Sequence, residues 1–161
     1  VLFRSELIIV DDLSTDRTQE WVKQKMQEDS RIRYIRHEEN KGLAAARNTA
    51  IFNAKGKYFS FVDDDDQWTP QYLEEFVKVA ENYDDQWCFC CGGVKYDNLG
   101  QTVYCKYENL NGLLGDFIRE GYTPPNTSQF YFTSTLQRLG GYNEKIKTGV
   151  GSLSSKIYFT G

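Results

Sequence analysis

Residues 58–69 read YFSFVDDDDQWT. An apolar run leads straight into four consecutive aspartates, and TPQYLEEFVKVAENY (69–83) follows. The run KYFSFV reads as a strand. Thr69 and Pro70 read as the cap and first position of a helix, because a proline there loses no needed N–H. The spacing puts Leu73, Phe76, Val77 and Ala80 on the inner face of that helix. The unit is therefore strand, acidic loop, helix. Four adjacent carboxylates repel one another, and two readings relieve the repulsion. Either the loop is a solvated turn, with Asp66 favouring the positive end of the following helix, or a cation sits there.

The same unit occurs upstream. ELIIV (6–10) is a near-continuous apolar run of the kind found in parallel strands covered on both faces, and DDLSTD follows it. Ser14, Thr15 and Asp16 are all suited to cap a helix, which the spacing of Trp21, Val22 and Met26 predicts over 16–28. RIRYIRH (31–37) reads as a short strand. NKGLAAARNTAIFNAKG (40–56) reads as an alanine-rich helix with Leu43, Ala46, Ala50, Ile51 and Ala54 on one face and Gly56 as its stop. The order through residue 83 is thus β-α-β-α-β-α, which implies parallel strands with helical crossovers. Open α/β sheets bind ligands at the C-terminal strand edge, and both acidic clusters, Asp11–Asp12 and Asp63–Asp66, fall there.

Beyond residue 87 the pattern changes. WCFCCGGVKYDNLGQTVYCKY (87–107) predicts two antiparallel strands with a turn at Asp97–Gly100. LNGLLGDFIREG (110–121) predicts a short helix. A loop containing prolines precedes a strand over Gln129–Phe132 and a short helix closed by Gly140–Gly141. Cys88, Cys90, Cys91 and Cys105 lack the spacing of a tetrahedral zinc site, and the one histidine, His37, is distant in sequence. They read as small buried residues of a reducing compartment.

Bulk composition narrows the function classes. The chain has 161 residues, a size suited to one domain, with 40% apolar and 15% aromatic residues, enough for a core. Its net charge of −4 disfavours nucleic acid as a partner. No apolar stretch approaches the roughly 20 residues of a membrane span, and the first residues read as a stub entering a strand rather than as a secretory signal.

Carboxylates at a strand end supply oxygen ligands, which Mg²⁺ and Mn²⁺ prefer. Three segments occur in order: VDD-x-STD after one strand, N-x-G-x-x-x-ARN opening a helix, and FVDDDDQWTP after the next strand. In this combination the chain resembles the family 2 glycosyltransferases of the GT-A fold. The resemblance covers residues 6–83 and extends to LGGYNEKI (139–146), similar to the family's iGgFDE segment. It implies one α/β domain over residues 1–161: a GT-A sandwich, mostly parallel, with helices on both faces. Residues 6–83 would form its donor half and 84–161 its acceptor half, altered or truncated after about 150.

Carried over by position, Asp12 would contact the nucleotide base and Arg47 would lie near the diphosphate. The family's D-x-D falls on Asp63, Asp64 and Asp65. Asp63 or Asp64 would approach the ribose, and Asp65, with Asp63, would hold Mg²⁺ or Mn²⁺. Asp66 would support or cap, Trp68 would belong to the core, and Lys41 would be a solvated loop residue. The reaction implied is transfer of a sugar, with inversion and metal dependence, from a nucleotide-diphosphate sugar to a hydroxyl of a carbohydrate or lipid-linked acceptor. A UDP-sugar is the favoured donor. The setting implied is polysaccharide or glycoconjugate synthesis in the cytoplasm, at the inner face of a membrane, with acceptor contacts in GYTPPNTSQF (121–130).

Two departures stand out. Only VLFRS precedes the strand that is the family's second, which points to a fragment. The general base is expected soon after LGGYNEKIKTG, yet Val150-Gly151-Ser152-Leu153-Ser154-Ser155 stands there, and Glu144 is the nearest upstream carboxylate. The catalytic residue is therefore unassigned. A non-catalytic sugar-nucleotide-binding domain, and an α/β domain with merely solvated acidic loops, remain as other readings.

Overall fold

The computed structural model describes residues 5–63, 66–85, 88–90, 93–96, 102–105 and 126–145. They fall into two compact units. One holds the residues up to Phe59 and those from Phe132 onward; the other runs from Ser60 to Tyr131.

In the first unit, β1 (Leu7–Asp11) lies parallel to β2 (Ile32–Arg36), with Leu7 opposite Ile32 and Asp11 opposite Arg36. The His37 N–H donates to the Asp11 carbonyl at 2.9 Å and carries the pairing one residue further. Helix α1 (Thr18–Glu28) makes the crossover between them. It begins two residues later than the capping residues suggest. Asp16 Oδ1 accepts the Thr18 N–H at 2.9 Å, whereas the N-cap position falls to Arg17. Val22 is its buried residue; Trp21 is 57% exposed and Met26 is exposed as well. Of the three apolar positions, one faces inward.

Helix α2 (Leu43–Asn53) packs against β1 and against α4 (Thr133–Arg138). Its buried face is Ala44, Ala45, Arg47, Asn48 and Ile51, while Leu43 is exposed. The face is rotated from the one apolar spacing predicts, because two polar side chains take interior positions. Asn48 is provided for there: its Nδ2 donates to the Tyr142 carbonyl at 2.9 Å, and its Oδ1 accepts the Tyr142 N–H at 2.6 Å. The turn that allows this runs through Gly140 and Gly141, both at positive φ (78° and 70°). A Cβ on Gly141 would stand 2.3 Å from Asn48 Oδ1, so this position needs glycine for space as well as for conformation. Among the described residues of this unit, Ile51, Val22 and Leu136 are the most deeply buried aliphatic ones. β1 is half-buried rather than covered on both faces, and Leu7 is exposed.

β3 (Tyr58–Ser60) lies beside β7 (Gln129–Phe132), a strand with the bounds its sequence predicts. In the first unit the Thr133 N–H donates to the Lys57 carbonyl at 3.0 Å, and the rings of Tyr58 and Phe132 meet at 5.2 Å. In the second unit Ser60 Oγ donates to the Gln129 carbonyl at 2.6 Å. There β4 (Cys88–Cys90) pairs antiparallel with β7, and β5 (Gly93–Tyr96) pairs antiparallel with β6 (Thr102–Cys105). The expected two-strand segment is thus three strands, its first joined to β7. Helix α3 (Tyr72–Ala80) starts with Gln71 at its N-cap, later than Thr69, whose carbonyl accepts the Tyr72 N–H at 3.0 Å. Tyr72 and Ala80 are its buried residues; Leu73, Phe76 and Val77 are half-buried. Phe76 stacks on Phe130 at 5.0 Å.

The turn at residues 97–100, the helix expected over 110–121, Asp64, Asp65 and the segment 149–161 lie outside the described residues.

Candidate functional site

Parallel pairing puts the C-terminal ends of β1 and β2 side by side, so the residues following them share one edge. Asp11 ends β1 and Asp12 follows it, while Arg36 ends β2 and His37 follows it.

The two aspartates are held by different means. Asp11 points inward and is 5% exposed. The Ser14 N–H donates to its Oδ1 at 2.6 Å, and Oδ2 accepts from Ser14 Oγ at 2.9 Å, from the Tyr34 hydroxyl, and from Arg36 Nη1 at 2.6 Å. Burial alone would raise its pKa, but the Tyr34 and Ser14 donors and the Arg36 charge outweigh it and hold the carboxyl at about 2. The chain closes back on Asp11 through Leu13, which takes a left-handed φ of 69°, a strained position for leucine.

Asp12 is clamped by the start of α2. Its Oδ1 accepts the Lys41 N–H at 2.8 Å and its Oδ2 the Gly42 N–H at 2.7 Å. Gly42, at φ 86°, turns the backbone so that both N–H groups face the carboxylate. His37 Nδ1 lies 2.7 Å from Oδ1, and His37 Nε2 lies 2.9 Å from Thr49 Oγ1 on α2. Asn40 Nδ2 donates to the Asp12 carbonyl at 3.1 Å. Burial pushes the Asp12 carboxyl up, and the Lys41, His37 and Gly42 donors lower it by more, so Asp12 is a carboxylate at neutral pH. Lys41 enters this site through its backbone; its side chain is exposed. A cavity of about 500 Å³ adjoins, lined by Arg36, His37, Glu38, Glu39 and Lys41.

Arg47 is 4% exposed, not a surface helix arginine, and its guanidinium lies over the Tyr142 ring at 5.7 Å. Glu144 Oε1 accepts from Asn48 Nδ2 at 2.8 Å.

In the second unit the acidic loop follows β3. Asp63 is half-buried and its carbonyl accepts the Asp66 N–H at 3.1 Å. Asp66 does not cap α3; its Oδ2 accepts from the Thr127 hydroxyl. Trp68 donates its indole N–H to the Thr127 carbonyl at 2.9 Å and stacks on Tyr72, with centroids 4.4 Å apart and planes 4° apart. It is a half-buried brace of the loop. Among the described residues no three acidic, histidine or cysteine side chains converge as a metal site. The loop offers only oxygen donors, the set that suits Mg²⁺ and Mn²⁺ and not the softer metals.

His37 is the site residue that sequence reasoning passed over. A lone histidine has no spacing partner, since its contacts are 25 and 12 residues away. The usable signal was register: if β1 and β2 are parallel neighbours ending together, residue 37 falls beside residue 12.

The family model of glycosyl transferase family 2 matches residues 3–159. The chain belongs to this family. Over 70 residues it is 47% identical to a Bacillus subtilis protein named as a teichuronic acid biosynthesis glycosyltransferase, a match covering 44% of the chain and 28% of the relative. Over 130 residues it is 33% identical to an uncharacterised glycosyltransferase of Methanocaldococcus jannaschii, covering 81% of the chain and 41% of the relative. The family 2 chain therefore spans less than half the length of these curated relatives. Its fold is that of Staphylococcus aureus TarS solved with UDP, at TM-score 0.72 and 23% identity over 93% of this chain and 44% of that one. A Pyrobaculum calidifontis mannosyltransferase solved with GDP-mannose and Mn²⁺ has a TM-score of 0.64 at 21% identity, over 94% of this chain and 42% of that one. The fold is GT-A, an α/β architecture with a parallel pair at its start.

Proposed function

We propose that the chain carries the donor-binding part of a glycosyltransferase that moves a sugar from a nucleotide-diphosphate sugar, a UDP-sugar first, to a hydroxyl of a carbohydrate or lipid-linked acceptor. The observation that carries this reading is Asp12: an ionised carboxylate at the C-terminal edge of a parallel pair, fixed by three N–H donors, in a family 2 chain. A base N–H is the partner that such a group accepts.

On this reading Arg47 serves the diphosphate end, its planar fork suited to phosphate oxygens. Asp63 or Asp64 would approach the ribose, and Asp65 with Asp63 would hold Mg²⁺ or Mn²⁺. A divalent ion bound there supplies charge compensation for the diphosphate as it leaves. Inversion follows if a carboxylate deprotonates the acceptor hydroxyl as it attacks the anomeric carbon. Glu144 is committed to Asn48 and is not our candidate for that base. The relative named for teichuronic acid synthesis supports a polysaccharide product. The work then falls in the cytoplasm, at the inner membrane face.

The test is calorimetry with UDP and Mn²⁺. Metal-dependent UDP binding that is lost in Asp65→Ala supports the reading. A demonstrably folded chain that binds no nucleoside diphosphate refutes it.

A further inference from the structure

We infer that the chain selects a uracil-type base, one that presents a single N–H between two carbonyls, and that His37 enforces the choice. This rests on the proposal that Asp12 meets the nucleotide base. An ionised carboxylate offers about four acceptor positions, two on each oxygen. On Asp12, Oδ1 takes His37 Nδ1 at 2.7 Å and the Lys41 N–H at 2.8 Å, while Oδ2 takes the Gly42 N–H at 2.7 Å. Oδ1 is filled and Oδ2 keeps one position. The Asp12 side chain is 19% exposed, so it is not sealed from a ligand. Two of its three donors, His37 and Lys41, also line the adjoining cavity.

Guanine meets a carboxylate through two parallel N–H donors, N1 and N2, one to each oxygen, as an arginine fork does. Here only one of the two would find an acceptor, and a donor desolvated without a partner is costly. Uracil offers N3–H alone, and one free position on Oδ2 satisfies it.

His37 is the side chain that closes Oδ1. A carboxylate can only accept, so Nδ1 carries the hydrogen and donates. The other ring nitrogen is engaged by Thr49, and the side chain is 7% exposed, so the ring is held at both ends. The Lys41 and Gly42 donors are main-chain groups that substitution leaves in place. His37 is therefore a positioning residue whose removal opens the second oxygen.

The experiment compares UDP and GDP by calorimetry in Mn²⁺ on the wild-type chain, His37→Phe and His37→Asn, each checked for folding by circular dichroism. The wild type should bind UDP at least about tenfold more tightly than GDP, the scale of one unmet donor. His37→Phe should narrow that ratio by about fivefold or more. His37→Asn, whose amide can offer an N–H toward Oδ1, should keep it. A merely structural histidine would weaken both nucleotides alike. GDP binding as tight as UDP in the wild type, or an unchanged ratio in folded His37→Phe, overturns the inference and leaves nucleotide binding standing. Binding of neither nucleotide by the folded wild type overturns both. Should His37→Phe not fold, the wild-type ratio decides.

Discussion

Asp11 and Asp12 are adjacent carboxylates with opposite employment. Asp11 is spent on the fold: four donors from Ser14, Tyr34 and Arg36 converge on a nearly inaccessible group. Its pKa is lowered from 3.8 to about 2, so its stabilisation is complete above pH 4 and is lost as the pH falls toward 2. Chemical denaturation from pH 5 to pH 2 should show a loss on the order of 2 kcal/mol from this group, and Asp11→Asn should flatten that acid limb. Asp12 keeps an acceptor position for a ligand. The sequence motif marks two aspartates after a strand, and only the direction of each side chain divides the labour. Asp12 was legible because a strand end is a ligand-facing edge. His37 was not, because its meaning lies in the register between two strands.

At the scale of elements, β7 was readable residue by residue, since four consecutive residues between a 3₁₀ turn and a helix leave little choice of boundary. The buried face of α2 was not. Apolar periodicity assumes that polar side chains point outward, and Asn48 breaks the assumption by bonding both backbone groups of Tyr142. Asn48→Ala removes the side chain that bonds that buried N–H and carbonyl and should cost about 2–3 kcal/mol in urea unfolding. Gly141→Ala should cost about as much or more, because the backbone lies at φ 70° and the new Cβ meets Asn48 Oδ1. A wild-type midpoint in Gly141→Ala would show that the turn relaxes freely. Likewise α1 exposes Trp21 and Met26 because one buried position, Val22, anchors it.

For the whole molecule, alternation of strands and helices was enough to give an α/β class, because parallel neighbours need helical crossovers. The later half was less legible. Short strands such as Cys88–Cys90 are defined by the distant partner they pair with, not by their own pattern. Family membership makes sugar transfer the activity to assay. On the proposed reading, transfer or hydrolysis of a UDP-sugar should vanish with EDTA and return with Mn²⁺. Activity unchanged by chelation would remove the metal from the proposal.

The stack of Trp68 on Tyr72 has a spectroscopic consequence. The indole is pinned by its N–H bond to Thr127 and by a ring 4.4 Å away, so its resonance should be sharp and dispersed. Trp68 follows Asp65 by three residues, a reach of at most about 11 Å along an extended chain. Paramagnetic Mn²⁺ held by the aspartates should therefore broaden the Trp68 indole signal, whereas diamagnetic Mg²⁺ should only shift it. The brace that steadies the acidic loop doubles as a built-in observer of what the loop binds.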